Sequence, residues 1–388
     1  MAMKTTDSLG RIVLQHSALI DRDHNLLAVR LGWSPLASCD EADAPNLSSL
    51  LLAMGDGLRY GTAALMLPAR HTGDLLTLRT HGWWPGAWIE YPAGLAALPQ
   101  AVDALTSLRA SGVRMLARGR PTRNQSFTAG PELCIDSTGM LRVHDCVDTL
   151  EKLDLAVADG AEATLGWPVL GACCLGGSSQ QEASLQLLID IIQRIDQEYD
   201  IDRLGALIEA SPTLAFRLLA LLNSAAGGLR TEVTSVPHAI MLLGYRKLKQ
   251  WLSLLLTVAV ETPRTRPLTQ ASLRRAFLMQ EVAQCLGSRD DRGDMFVCGM
   301  FSLLDRMLGQ PMVELVRDVH LSEEITQCLA HACGPLKPYL DLARQVESGQ
   351  PFDLDAACEA TATTPLEVNG AVLRALAKAA NVGVAAAG

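Results

Sequence analysis

The sequence lacks three things: an excess of basic charge, cysteines paired at metal-site or disulfide spacing, and an apolar run long enough to cross a bilayer. Its 33 Lys and Arg against 42 Asp and Glu give a formal charge of −9. That excludes broad electrostatic attraction to nucleic acid, which requires clustered cations facing phosphates. The short basic run at 114–123 reads as a solvated loop. The ten cysteines are scattered. Cys328, His331 and Cys333 lie close together and Cys173 adjoins Cys174, but no second ligand pair at zinc spacing accompanies either group. Met1–Gly10 is polar and no signal peptide opens the chain, so a reducing cytoplasm is the expected location. The longest apolar stretch, Trp251–Val260, is interrupted by Ser253 and Thr257. It falls well short of the roughly 20 residues a membrane helix needs.

What is present divides in two. A length of 388 residues leaves room for two cores. To about residue 170 short β-like runs alternate with helical ones: RIVLQHSALI, a turn at Asp21–Asn25, LLAVRLGW, then ALMLP at 64–68, AWIEY at 87–91, VRMLA at 113–117 and ELCID at 132–136. A helical stretch, AGLAALPQAVDALTSLRASG, stands between two of these runs. Strand, helix, strand in that order predicts a parallel sheet, often a barrel. GACCLGGSSQQE at 171–182 reads as a linker, and the remainder is helical, with prolines marking loops at 262–267 and 334–338. The predicted fold class is therefore α/β plus all-α. One domain is expected over 1–175 and an all-helical one over 183–388.

The most informative stretch is SPTLAFRLLALLNSAAGGLRTEVTSVPHAIMLLGY at 211–245. Ser211 and Pro212 have the chemistry of a helix start, and Leu214, Leu218, Leu219, Leu221 and Leu222 form an apolar stripe. This helix is expected to end near Asn223–Ser224, with Gly227–Gly228 terminating it. A second helix starts at a Ser235 cap and is interrupted at Gly244, where a side chain is expected to wedge the flanking segments apart. Pro212, Asn223, Ser224, Ala239, Ile240, Leu243 and Gly244 together resemble the HDOD domain, a helical relative of the HD metal-dependent phosphohydrolases. The similarity extends over about 181–360. Catalytic HD enzymes carry Gly-x-x-His-Asp where this chain has GMFSLLD. Aligning Gly299 with the family glycine puts Ser302 and Leu303 at the His and Asp positions. A hydroxyl and an alkyl group cannot hold a divalent cation, and Asp305 nearby is a single carboxylate.

GMFSLLD also resembles HDOD domains that follow an EAL domain, the (β/α) barrel that hydrolyses cyclic di-GMP, and LQHSALIDRDHNLLAVRLGW has the form of that family's opening strands. A complete barrel needs about 250 residues, so the resemblance implies a truncated, degenerate barrel. Carried over motif by motif, the metal-binding Glu falls on Val29, the Asn on Pro68 and the Asp-Asp pair on Arg118–Gly119. The Lys-Ile-Asp strand falls on Cys134–Ile135–Asp136, and the closing Gln-Gly element has no counterpart. Glu90, Asp159 and Glu162 remain as residual acids. They read equally well as solvated strand-end residues.

The resemblance implies a non-catalytic signalling scaffold acting through protein contacts, with no catalytic residue, metal site or cofactor. Its partners would be signalling proteins. It leaves a homodimer open, and argues against membrane, nucleic-acid or cyclic di-GMP binding. The alternatives are a cyclic di-GMP phosphodiesterase, a cyclic dinucleotide receptor, or an HD-type phosphohydrolase. Trp83, Trp84 and Trp88 within HGWWPGAW form either an exposed interaction patch or part of the barrel flank. His16, His24, His71, His81 and His144 have no Asp or Ser at telling spacing, and read as ordinary surface or hydrogen-bonded histidines.

Overall fold

A computed structural model describes residues 9–37, 47–48, 50–51, 64–80, 87–119, 133–136, 139–171, 179–197, 199–209, 214–215, 218, 235–259, 262–287, 291–319 and 321–385. Its strands are β1 (Ile12–Asp21), β2 (Leu26–Pro35), β3 (Leu65–Pro68), β4 (Trp88–Pro92), β5 (Arg114–Arg118), β6 (Leu133–Asp136), β7 (Gly139–His144) and β8 (Ala163–Leu165). Helices α1 (Thr72–Thr80), α2 (Pro99–Ala110) and α3 (Leu150–Ala158) lie among them. There follow α4 (Ser179–Asp196), α5 (Ile201–Glu209), α6 (Val236–Ala259), α7 (Arg266–Cys285) and α8 (Asp291–Phe301). The remaining helices are α9 (Leu304–Leu308), α10 (Met312–Val319), α11 (Glu323–His331), α12 (Lys337–Glu347), α13 (Leu354–Thr361) and α14 (Pro365–Ala385).

All six strands expected from the sequence form, and β7 and β8 are additional. The sheet order is β5-β4-β3-β2-β1-β8-β7-β6. Strands β2 to β5 are parallel, as are β7 and β8, whereas β1 runs antiparallel to both neighbours. The reason is local. The Asp21 carboxylate accepts from the backbone N–H groups of Asp23 (2.9 Å) and Asn25 (2.7 Å) and from the Asn25 side chain (3.1 Å), which closes a hairpin where a crossover would be needed for parallel pairing. The sheet curls until its edge strands β5 and β6 approach each other, a half-barrel compatible with a barrel-like fold. Leu19, Ala28, Met66, Trp88, Leu116, Val143, Ala163 and Leu165 form one buried cluster on one face of this sheet.

Contacts group the chain into two units. The sheet unit comprises Met1–Gly171, Thr262–Ser288 and Pro338–Gly388, and the helical unit Ala172–Glu261 and Arg289–Lys337. This differs from the linear division into 1–175 and 183–388: α7, α13, α14 and nearly all of α12 go with the sheet. Helical spacing in the sequence shows that these helices own an apolar face, but not which surface that face covers. Eight of the ten β1 residues are buried, all but Gln15 and Asp21, so both faces of β1 need cover. Helix α14 packs on β1 and along α7.

Polar groups fix that docking. The Asn369 side chain on α14 is fully buried; it accepts from the Leu14 N–H (3.0 Å) and donates to the carbonyls of Leu9 and Ile12 (both 2.7 Å). Buried Arg275 on α7 is bidentate to Glu347 on α12, with Nε 2.9 Å from each carboxylate oxygen. Buried Glu281 on α7 takes Arg374 and Lys378 of α14, each at 2.5 Å. On β1, His16 Nδ1 accepts from Trp167 Nε1 (3.1 Å), and the Arg274 guanidinium lies 5.1 Å from the Trp167 ring centroid.

Two outcomes follow from these groups. Asn369→Leu strands three backbone groups in the interior, at roughly 1–3 kcal/mol each before relaxation. Urea unfolding should show a loss of about 3 kcal/mol or more. His16 is held neutral because burial, and then Arg274 and Arg275, lower its pKa to about 3. The unfolded histidine, near 6.5, therefore binds a proton that the folded one refuses. Stability is full above pH 6.5 and falls as pH drops toward 3, by up to about 1.4 kcal/mol per pH unit. Unfolding midpoints across that window should flatten in His16→Gln relative to the unaltered protein.

Candidate functional site

Side chains alternate across a strand, so residues two apart share a face. Two residues beyond the apolar cluster, toward the carboxyl ends of the parallel strands, Ala28 gives way to Arg30, Met66 to Pro68, Trp88 to Glu90 and Leu116 to Arg118. These four residues, with Gln15, Gly32, Arg70 and Tyr91 among others, line an open cavity of about 490 Å³. Carboxyl strand ends are where α/β folds place ligands and chemistry.

At its centre the Glu90 carboxylate is 3 % exposed and sits between two guanidinium groups, Arg30 Nε at 2.5 Å and Arg118 Nη1 at 3.1 Å. Arg118 also pairs with Asp145. Arg70 donates to the Trp33 carbonyl and lies 5.1 Å from the Trp33 ring centroid. Gly32 stands opposite Gln15 in the β1–β2 register, and the nearest atom to a Cβ there would be the Gln15 carbonyl oxygen at 4.0 Å. The missing side chain leaves room beside Arg30.

The strand faces correct one expectation. Val29 is buried on the other side of β2 from the cavity, and it is Arg30 that occupies the cavity position. A shift of one residue in a strand exchanges the two faces. Pro68, Arg118 and Gly119 do line the cavity. Glu90 is buried and ion-paired, so the solvated reading fails for it. Asp159, capping the end of α3, and Glu162 are exposed and precede β8, so they lie at the opposite end of the sheet from Glu90. Asp136 lies on β6. Trp88 is 2 % exposed within the apolar cluster, because its strand parity points it inward; it forms no surface patch. Trp83 and Trp84 lie outside the described residues.

His24 and His71 do have acidic neighbours. His24 Nε2 is 3.3 Å from Asp154, which also takes Arg264 at 2.7 Å, and His71 Nδ1 is 3.1 Å from Asp74. Only the first of these depends on long-range folding. Among the described residues no group of three or more His, Cys, Asp or Glu could hold a metal ion, and Cys333 Sγ approaches the Gln327 carbonyl at 3.7 Å.

In the helical unit, Pro212, Asn223 and Ser224 lie outside the described residues. Ala239 and Ile240 are buried and Leu243 is half-buried. Gly244 interrupts α6 as expected, with φ 76° and ψ 154°, a conformation essentially restricted to glycine. A Cβ there would meet nothing within 4 Å, so the requirement is backbone geometry and not crowding. Past the kink, Lys249 Nζ is 2.7 Å from Asp196 on α4 and 3.9 Å from Asp294 on α8, and Ser322 donates to Asp294 at 2.9 Å. Burial raises the Asp196 pKa, opposed by Lys249 and assisted by Asp294. Sequence reading missed this cluster, since its members are 28 to 126 positions apart in a helical pattern that otherwise reads as amphipathic. Ser302 donates to the Gly299 carbonyl at 2.7 Å within its own helix end, and Leu303 is buried. No helix among the described residues is long and apolar enough to cross a membrane.

Two curated proteins and one family model are similar to parts of the chain. The chain is 26% identical over 216 residues to the uncharacterized protein YuxH of Bacillus subtilis, covering 54% of this chain and 52% of that one. It is 28% identical over 165 residues to the cyclic di-GMP phosphodiesterase CdgJ of Vibrio cholerae, covering 42% and 38%. The chain thus spans about half or less of the length of these curated relatives. No solved structure matches it. The family model for the HDOD domain matches residues 185–331, the stretch that holds the kinked α6 and the Lys249 cluster, and this part of the chain is an HDOD domain.

Proposed function

We propose that the protein is a non-catalytic signalling scaffold in the cytoplasm, in which an HDOD domain and a degenerate EAL-like sheet act through protein contacts. An HDOD domain, together with similarity to a protein named for cyclic di-GMP hydrolysis, supports a role in signalling. The observation that carries the non-catalytic part is the cage around Glu90. Metal-assisted phosphodiester hydrolysis needs several oxygen or nitrogen ligands converging on a cation that lowers the pKa of bound water. Here the carboxylate in the expected place is already neutralised by Arg30 and Arg118, Pro68 offers no side-chain oxygen, and a divalent cation would face guanidinium groups at close range. The HD-type alternative meets a similar obstacle, with Ser302 turned onto its own helix backbone.

Purified protein should therefore neither hydrolyse cyclic di-GMP with added Mg²⁺ or Mn²⁺ nor retain either ion stoichiometrically. Metal-dependent turnover that disappears in Glu90→Gln would overturn the reading. Partner binding should instead depend on the geometry of the HDOD domain. Gly244→Val forces a β-branched residue into a glycine-only conformation, at about 1–3 kcal/mol. It should lower the thermal midpoint and abolish co-purification of the native partner. Ser302→Ala and Asp305→Asn should leave co-purification intact. Loss of activity in either with an unchanged midpoint would instead indicate a chemical site on α8–α9.

A further inference from the structure

Four of the eight exposed large apolar side chains among the described residues fall in two stripes of opposite charge. The first stripe is on α3, in the sheet unit. Glu151, Leu155 and Asp159 recur at every fourth position and share one face of the helix. All three are exposed, Leu155 by 65 %. Leu170, 54 % exposed, runs beside the first turn of α3: it bridges Thr149, and its N–H donates to the Asp148 carbonyl at 2.7 Å. The Glu151 carboxylate reaches to 2.9 Å from where a Gly171 side chain would begin. Residues 148–159 hold four acids and one lysine, and that lysine, Lys152, is paired with Asp148. The second stripe is on α6, in the helical unit, where no Asp or Glu occurs from Ser235 to Val260. Met241 is 64 % and Leu242 47 % exposed, and past the Gly244 kink Arg246 and Lys247 are exposed as well. Lys249 is buried and turned toward Asp196 and Asp294, so it stands apart from this face.

We propose that the α3 stripe of one copy docks on the α6 stripe of a second copy of this chain. Leu155 and Leu170 then meet Met241 and Leu242, and the acids flanking Leu155 meet Arg246 and Lys247. Single exposed apolar residues are ordinary, but neighbouring ones mark contact surfaces. Charge identifies the occupant: each stripe sets its apolar pair beside charge opposite to the other's, which favours this pairing and fixes its register. Either stripe against itself would bring like charges together. Because the two surfaces differ, the contact is heterologous; it closes when made twice between two copies, and otherwise continues head to tail. Self-association neither requires nor excludes catalysis, so its failure would leave the scaffold reading untouched.

The test is the association state of the full chain, followed by sedimentation velocity and light scattering. The unaltered protein should associate with a dissociation constant at or below about 100 µM, and association should weaken as salt is raised from about 0.05 to about 0.5 M. Leu155→Lys and Met241→Glu, both at exposed side chains and checked for an unchanged thermal midpoint, should each weaken association about tenfold or more. Where a midpoint falls, Leu170→Lys or Leu242→Glu takes that variant's place. Mixed in equal amounts, the two variants should associate again, because each supplies the intact stripe that the other lacks and the new lysine faces the new glutamate. Leu98→Lys, at an exposed leucine outside both stripes, should change nothing. The proposal is overturned if the unaltered protein is monomeric at about 100 µM, or if either variant associates as the unaltered protein does. It is equally overturned if the mixture stays as dissociated as its parts, or if Leu98→Lys weakens association as much as the stripe variants.

Discussion

The sheet unit depends on how its first strand is finished. Strand β1 lies between β2 and β8 and is buried along almost its whole length, so every backbone group at its start must be satisfied from within the protein. Asn369 meets that need for Leu9, Ile12 and Leu14 from a helix more than 350 positions away. A leucine of similar size would fill the space and leave the donors and acceptors unmet. This is why the last helix belongs to the first domain: the strand cannot be desolvated without it. The Glu281 and Arg275 ion pairs then hold α14 and α12 against α7, which makes the sheet unit discontinuous in sequence and dependent on contacts that close very long loops.

The same strand parity that builds the core also builds the cavity. Ala28, Met66, Trp88 and Leu116 pack together, and the next inward-facing residue on each strand, Arg30, Pro68, Glu90 and Arg118, reaches the open end. Chemistry placed there is rigid because the layer beneath is close-packed. Glu90 illustrates the electrostatic consequence. A carboxylate 3 % exposed would be costly alone, and two guanidinium groups offset that cost while consuming its capacity to bind a cation. Arg70, two residues beyond Pro68 and stacked on Trp33, is exposed at the cavity mouth.

The helical unit uses backbone geometry in place of a sheet. Gly244 bends α6 between the buried Ala239–Ile240 segment and the turn carrying Lys249. Lys249 then draws Asp196 of α4 and Asp294 of α8 to one place. Burying an ammonium group is tolerated because two carboxylates accompany it, and removing either would leave charge stranded in a low-dielectric setting.

The sequence by itself determined what short-range chemistry controls. Six strands, the Asp21–Asn25 turn, the helical second half and the interruption at Gly244 are all legible from periodicity, turn residues and motif order. Residue spacing could not decide the facing of β2, because Val29 and Arg30 differ by one position and only pairing with β1 and β3 fixes which points inward. Nor could it show that Trp88 is core, that β1 reverses direction, or that Arg30, Glu90, Arg118 and Asp145 converge from four separate segments. Asn369 gave no signal at all: in its own helix it is one of several polar residues, with Glu367, Arg374 and Lys378, among alanines, valines and leucines. Only tertiary structure supplies its partners, because a buried hydrogen bond is specified by two surfaces meeting and the sequence of either one describes half of it.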